Sequence, residues 1–176
     1  MNVINLDHIS YKPLLPEVKE AMIEAINSDL HNPSSQHKAG EKSAELLAQA
    51  RENVAALVNA ADAREIVFTS GGTESVNHAI KGVAWANREK GNHIVTTNIE
   101  HNSVIRSVKR LTSQGFKVTS LSVDESGRVN PQDVADAITD KTILVSVMHS
   151  NNETGTIQPI KEIGAITREK KVLFHC

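Results

Sequence analysis

Five short β-rich runs, "EIVFTS", "HIVTT", "KVTSLSV", "TILVSVMH" and "VLFH", alternate with helix-period stretches near residues 75–89, 101–114, 131–139 and 160–170. This alternation constrains the fold more than any single residue does. Strands joined by helices of ten or more residues are βαβ units, whose crossovers make neighbouring strands parallel and cover the sheet on both faces. The reading is α/β, a largely parallel doubly wound sheet. Two further helices precede it: residues 16–29 carry Val18, Met22 and Ile26 at four-residue spacing, and residues 43–58 repeat the pattern with Leu47, Ala50, Val54 and Leu57. Pro16 suits a first helical turn, and Asn130 before Pro131 forms an N-cap and N1 pair. Residues 1–15 are polar, aperiodic and proline-containing, and are read as an arm. No repeat, low-complexity tract or linker divides residues 16–176, which are read as one domain.

Composition narrows the function classes. At 176 residues and 39% hydrophobic content the chain can bury a substantial core. Its apolar runs are too short to span a bilayer, and Met1 to Leu6 lacks a charged segment leading into an apolar one, so a cytoplasmic protein without a membrane partner is expected. A single cysteine cannot form an internal disulfide, which agrees with a reducing compartment. With 19 basic and 21 acidic residues there is no electrostatic footprint for nucleic acid. Small molecules or proteins are the expected partners.

In open parallel sheets ligands bind beyond the carboxyl ends of the strands, so the residues after each β run carry the functional information. After "EIVFTS" comes Gly71-Gly72-Thr73-Glu74 and a helix, which offers free N–H groups, a hydroxyl and a positive dipole end to an anion. The same residues also make an ordinary capped helix start, with Thr73 or Ser75 as the cap. Neither G-x-G-x-x-G nor G-K-[ST] is present, against a dinucleotide or nucleoside triphosphate. After "HIVTT" comes Asn98-Ile99-Glu100-His101-Asn102-Ser103, and after "TILVSVMH" comes Ser150-Asn151-Asn152-Glu153-Thr154-Gly155. Taken singly, His101 reads as a local helix-start residue and Asn152 as a turn residue. Convergence of three polar junctions on one sheet edge favours a site.

The segments "NPSSQHKAGEKSAELLAQAR", "TSGGTESVNHAIKG", "EHNSV" and "TILVSVMHSNNETGTIQPI", in this order, resemble the N-terminal part of cysteine desulfurases of the NifS/IscS type. These are pyridoxal-phosphate enzymes of the class V aminotransferase superfamily. The resemblance runs from about Leu6 to the end and implies the large domain of the fold type I transferases. It implies that Gly72 and Thr73 bind the cofactor phosphate, that His101 stacks on the pyridine ring and assists proton transfer, and that Asn152 meets the cofactor hydroxyl and the substrate carboxylate. The implied reaction takes sulfur from L-cysteine, releases alanine and leaves a persulfide on an enzyme thiol. A sulfur-acceptor or scaffold protein, iron–sulfur cluster assembly and a homodimer belong to the same expectation.

The resemblance also implies groups that these residues lack. The chemistry needs a lysine for the cofactor aldehyde and an acid on the ring nitrogen. The family's H-x-D-A motif is met here only by His175 and Cys176. Residues 16–176 are therefore expected to be an incomplete cofactor-binding domain, inactive alone. Ser35-Gln36-His37-Lys38 imitates the family's Ser-x-His-Lys, but it precedes the sheet, and Lys38 reads as a solvated helix-end residue. Strand alternation makes Cys176 a small apolar residue ending an interior strand rather than the nucleophile. The segment "LDHISYKPLLPEV", with Ser10, Tyr11 and Lys12, departs from the family's arm and leaves the substrate open between cysteine, selenocysteine and a related amino acid. Two other readings stand beside this one. The first is a non-catalytic half that needs a second chain; the second is a metal hydrolase built on Glu100, His101, His149 and His175, which lacks any H-x-x-x-H or C-x-x-C pair.

Overall fold

The computed structural model describes residue 4 and residues 12–176. The arm expected over residues 1–15 and the Ser10–Tyr11 departure therefore lie largely outside the described residues. The chain divides into two compact units, Met1–Phe68 and Thr69–Cys176.

The first unit is helical. Helix α1, Pro16–Asn27, starts on a proline at its first position and buries none of its residues. Its apolar stripe is instead exposed, from 43% at Val18 to 77% at Ile26. Helix α2, Lys38–Val58, is capped by His37, whose Nδ1 accepts from the Gly40 N–H. It ends on Asn59 in the left-handed conformation, a residue type that tolerates that geometry. Lys38 is exposed in the first turn, as the sequence suggests. A short 3-10 turn follows at Ala63–Glu65.

The strand expected at "EIVFTS" does not form. A strand exists by its ladder, and among the described residues none pairs with this segment. The Ile66 carbonyl accepts from the Arg51 guanidinium, which also lies over the Phe68 ring at 5.1 Å. Val67 and Phe68 stay 61% and 47% exposed. The β-rich composition is real, but a side chain has taken one of the acceptors that a neighbouring strand would use.

The second unit carries the sheet. Helix α3, Gly72–Ala86, leads into β1, His93–Thr97, followed by α4, Asn102–Thr112, and β2, Lys117–Leu121. Helix α5, Pro131–Ala137, then precedes β3, Thr142–Ser146, and α6, Ile160–Glu169, precedes β4, Leu173–His175. The strands form one four-stranded sheet in the order β2-β1-β3-β4, every pair parallel. This agrees with the parallel, helix-covered sheet expected from the alternation.

The order explains the layering. The chain moves outward from β1 to β2, then returns past β1 to β3 and continues to β4. One hand for every crossover puts α4 on the face opposite α5 and α6. The packing follows that rule. On one face Ile94 and Leu144 meet Ile80 and Ala84 of α3 and Val104, Val108 and Leu111 of α4. On the other, Val95 and Val145 meet Val134 of α5 and Ile163 of α6. Neighbours along β1 and β3 thus serve opposite layers, which is why "HIVTT" and "TILVS" are buried at every position. Asn130 caps α5 by accepting from the Gln132 N–H, as read from the Asn-Pro pair.

Leu144 is 1% exposed between these layers. Leu144→Ala is expected to destabilise the chain by about 2–5 kcal/mol, read as a lowered urea midpoint at unchanged slope.

Candidate active site

The order in which the chain adds strands reverses between β1 and β3, and at such a switch point the loops leave in opposite directions and open a crevice at the carboxyl edge. A cavity of about 540 Å³ lies there. Its walls are Gly72, Thr73 and Val76 from the start of α3, Glu100 and His101 after β1, Ser103 and Val104 on α4, Met148 to Ser150 after β3, and His175 and Cys176 at the end of β4. Its size suits a small ligand or cofactor.

The start of α3 is uncapped: Gly71 precedes it, and no side chain accepts from its first turn. The expected Thr73 or Ser75 cap is absent. The Ser75 hydroxyl bonds back to the Gly71 carbonyl and to Thr69 instead. Glu74 in the first turn is folded away, its Oε2 accepting from both the N–H and the hydroxyl of Ser70, which hold the carboxyl below its ordinary value. The first N–H groups of a helix have no intrahelical partner. A Cβ added at Gly71 or Gly72 would meet nothing within 4 Å, so the space before this turn is open.

His101 caps α4. Its Nδ1 accepts from the Ser103 N–H at 3.1 Å and lies 2.8 Å from the Ser103 hydroxyl. A neutral ring held this way carries its proton on Nε2, and the residue is exposed at the cavity wall. The local helix-start role and the cavity role coexist in one side chain.

Glu100 is 7% exposed, with Oε1 accepting from the Thr97 hydroxyl at 2.8 Å and from the Met148 N–H at 2.9 Å. Burial raises its carboxyl above the ordinary value, opposed by those two hydrogen bonds. Asn151 is buried beside it. Its amide donates to the Ile99 carbonyl at 2.9 Å, and its Oδ1 accepts from the N–H groups of Glu153 and Thr154.

His175 Nδ1 lies 2.9 Å from the buried Ser146 hydroxyl, and burial lowers the ring's pKa, which favours the neutral form. Cys176 follows β4, one of the two edge strands among the described residues, and is exposed at the cavity, not packed as a small apolar residue. Burial of its sulfur and then the Glu100 carboxyl push the thiol pKa up, away from the thiolate a nucleophile needs.

Of the four site residues read from sequence, Gly72, Thr73 and His101 come together in one cavity. Asn152 sits on the exposed turn past Ser150, outside the lining. Glu100, His149 and His175, weighed above as metal ligands with His101, line it as well, but among the described residues no group of three or more His, Cys, Asp or Glu is arranged to hold a metal ion. Asn151 escaped the sequence reading, since nothing in an Asn-Asn pair shows which amide turns inward.

Aminotransferase class-V, as a family model, matches residues 4–176. The chain belongs to that family. Among curated relatives, the class-V chain is 48% identical to cysteine desulfurase IscS of Clostridium botulinum strain Hall over 172 residues, 98% of this chain and 43% of the relative. It is also 48% identical to cysteine desulfurase IscS of Methanosarcina thermophila, over 98% of this chain and 42% of that one. Similar solved structures include SspA in complex with cysteine, at TM-score 0.90 and 39% identity over 96% of this chain and 48% of that one. A NifS-like protein matches at TM-score 0.90 and 36% identity, over 95% and 46% of the two chains. The class-V chain thus spans less than half the length of these relatives and shares their fold type I α/β architecture. No described helix is long and apolar enough to cross a membrane.

The buried titratable groups give a signed pH dependence. Folded Glu100 holds its proton to higher pH than the unfolded chain does, so stability falls as pH rises from about 4.3 through the raised folded value. His93 and His175 are depressed by burial, so the folded chain resists their protonation and stability falls as pH drops below about 6.5. Glu100→Gln keeps an acceptor and removes the charge. Its urea midpoint is expected to gain on the unsubstituted chain between about pH 4 and pH 8, while the acid-side loss persists; a pH-independent difference would contradict this.

Proposed function

We propose that this chain forms the cofactor-binding part of a pyridoxal-phosphate-dependent cysteine desulfurase, acting on L-cysteine to give L-alanine and an enzyme persulfide. The observation that carries the reading is the union of an uncapped helix start at Gly72–Thr73 with His101 in one cavity at the sheet's switch point. The relatives' names and the neighbour solved with cysteine support the same substrate.

The donor set fits the cofactor. The N–H groups of the first turn of α3 and the Thr73 hydroxyl would hold its phosphate, helped by the helix dipole and by the open space before Gly72. Pyridoxal phosphate, when bound, supplies an electron sink for the substrate's α-carbon. His101 offers a flat ring and an Nε2 proton at the wall, and would stack on the pyridine and move a proton to or from the substrate. Asn152 is the amide proposed to meet the cofactor hydroxyl and substrate carboxylate, from the turn beyond Ser150. Val76, Val104 and Met148 make part of the wall apolar, which limits water around the reacting atoms.

Among the described residues that line the cavity there is no lysine and no arginine. The ammonium group for the cofactor aldehyde and a cation for the substrate carboxylate must come from elsewhere, so residues 1–176 alone are proposed to be inactive. Assembly as a homodimer, sulfur delivery to an acceptor or scaffold protein, including iron–sulfur cluster assembly, and a cytoplasmic setting complete the proposal. The exposed apolar stripe of α1 supports an assembled state.

Two measurements test it. Equilibrium dialysis of the 176-residue chain against pyridoxal phosphate is expected to show one binding site, weakened about ten- to hundredfold in Thr73→Val, the cost of a lost hydrogen bond to a charged group. Incubation with pyridoxal phosphate and L-cysteine is expected to yield no alanine above the free-cofactor background; turnover well above it would overturn the proposed inactivity.

A further inference from the structure

Met148 lies past the end of β3, where the ladder no longer supplies an acceptor for its N–H. Glu100, past the end of β1, fills that place. A single oxygen, Oε1, accepts from Met148 N at 2.9 Å and from Thr97 Oγ1 at 2.8 Å. The carboxyl thus ties the turn after β1 to its own strand and to the turn after β3. A second tie runs beside it, from the Asn151 amide to the Ile99 carbonyl. Burying a carboxyl is costly, and an apolar residue would fill the same volume without that cost, but it would leave the Met148 N–H without an acceptor. The next residue after Glu100 is His101, whose ring is fixed from the other side by Ser103.

We propose that Glu100 is a positioning residue for His101: by accepting from both Thr97 and Met148 it sets the separation of the two turns and so the place of the imidazole in the cavity. Its importance to the site rests on the reading of this cavity as a cofactor site; its geometry does not. The acceptor oxygen is the working feature, so Glu100→Gln retains the arrangement. Glu100→Ala removes it, and Glu100→Asp shortens the arm so that both donors are no longer met.

The test uses the 176-residue chain without ligand and then with pyridoxal phosphate. In ligand-free Glu100→Ala, nuclear magnetic resonance is expected to show a shifted Met148 amide and a shifted His101 ring, and the pyridoxal phosphate dissociation constant should rise about tenfold or more. Glu100→Gln should keep the His101 ring resonances in place and the affinity within about twofold. If the alanine variant does not fold, Glu100→Asp is expected to show the same shifts. A variant that loses thermal stability but leaves His101 and the affinity unchanged would make Glu100 merely structural and overturn the proposal. A glutamine variant that shifts like the alanine one would overturn it too, because charge would then be the working feature. If the unsubstituted chain binds no pyridoxal phosphate, the functional reading fails, and the ligand-free resonances still decide the role of Glu100.

Discussion

The pairing of β1 with β3 is the contact on which the rest of the second unit depends. It skips β2 in the chain order, and that skip places the switch point, the divergence of α4 from α5 and α6, and the crevice between the loops. The pairing is fixed at both ends. At the amino end Gly91 comes so close to Lys141 that a Cβ would lie 2.3 Å from its carbonyl oxygen, and the His93 N–H donates to that carbonyl. The His93 ring lies between Thr142 and Thr119, with hydrogen bonds to both, so one side chain joins β1 to both neighbours. At the carboxyl end Glu100 does the same between β1 and the turn after β3. Between these ends the strands are held by apolar packing on both faces.

That arrangement explains where polarity is tolerated inside the sheet. Toward the carboxyl end β1 and β3 bury Thr96, Thr97 and Ser146. Thr97 reaches Glu100, and Ser146 reaches His175. Thr96 Oγ1 has no partner among the described residues, and an unmet buried hydroxyl costs about 1–3 kcal/mol. Valine would suit each of these positions better as packing alone. The hydroxyls that are bonded orient side chains of the cavity wall, so the sheet gives up core stability where it borders the site.

The parallel sheet was legible because burial on both faces leaves near-continuous apolar runs bounded by polar turns, as in "HIVTT" and "TILVS". The same signal failed at "EIVFTS", since composition reports a segment's capacity to pair and not whether a partner is beside it. In the site, the meeting of Gly72, Thr73 and His101 in one cavity was legible because the turns that follow successive segments of a parallel sheet fall at one edge. Glu100 was half legible. It stands at the right junction, but its chemistry depends on Met148, distant in sequence and brought close only by the β1–β3 register. The exposure of Cys176 at the cavity was not legible, because strand alternation says nothing of which residues border a crevice.

The electrostatics of the cavity sharpen the phosphate site proposed above. No described lining residue is a lysine or arginine, while Glu100 is present and Glu74 stands nearby in the first turn of α3. A phosphate placed there would be met by N–H dipoles and a hydroxyl and not by a full positive charge. The partial charge of a helix start is about half a unit and acts within one turn. Glu74 would oppose it if it faced the cavity, and its two bonds to Ser70 turn it back along the preceding loop. The Ser70–Glu74 contact, which looks like ordinary helix-start chemistry, thus keeps a carboxylate from occupying the space that an anionic ligand needs. The phosphate site proposed above would therefore recognise the shape and hydrogen-bonding of its ligand more than its charge, and a cation contributed from outside the lining would add to the affinity.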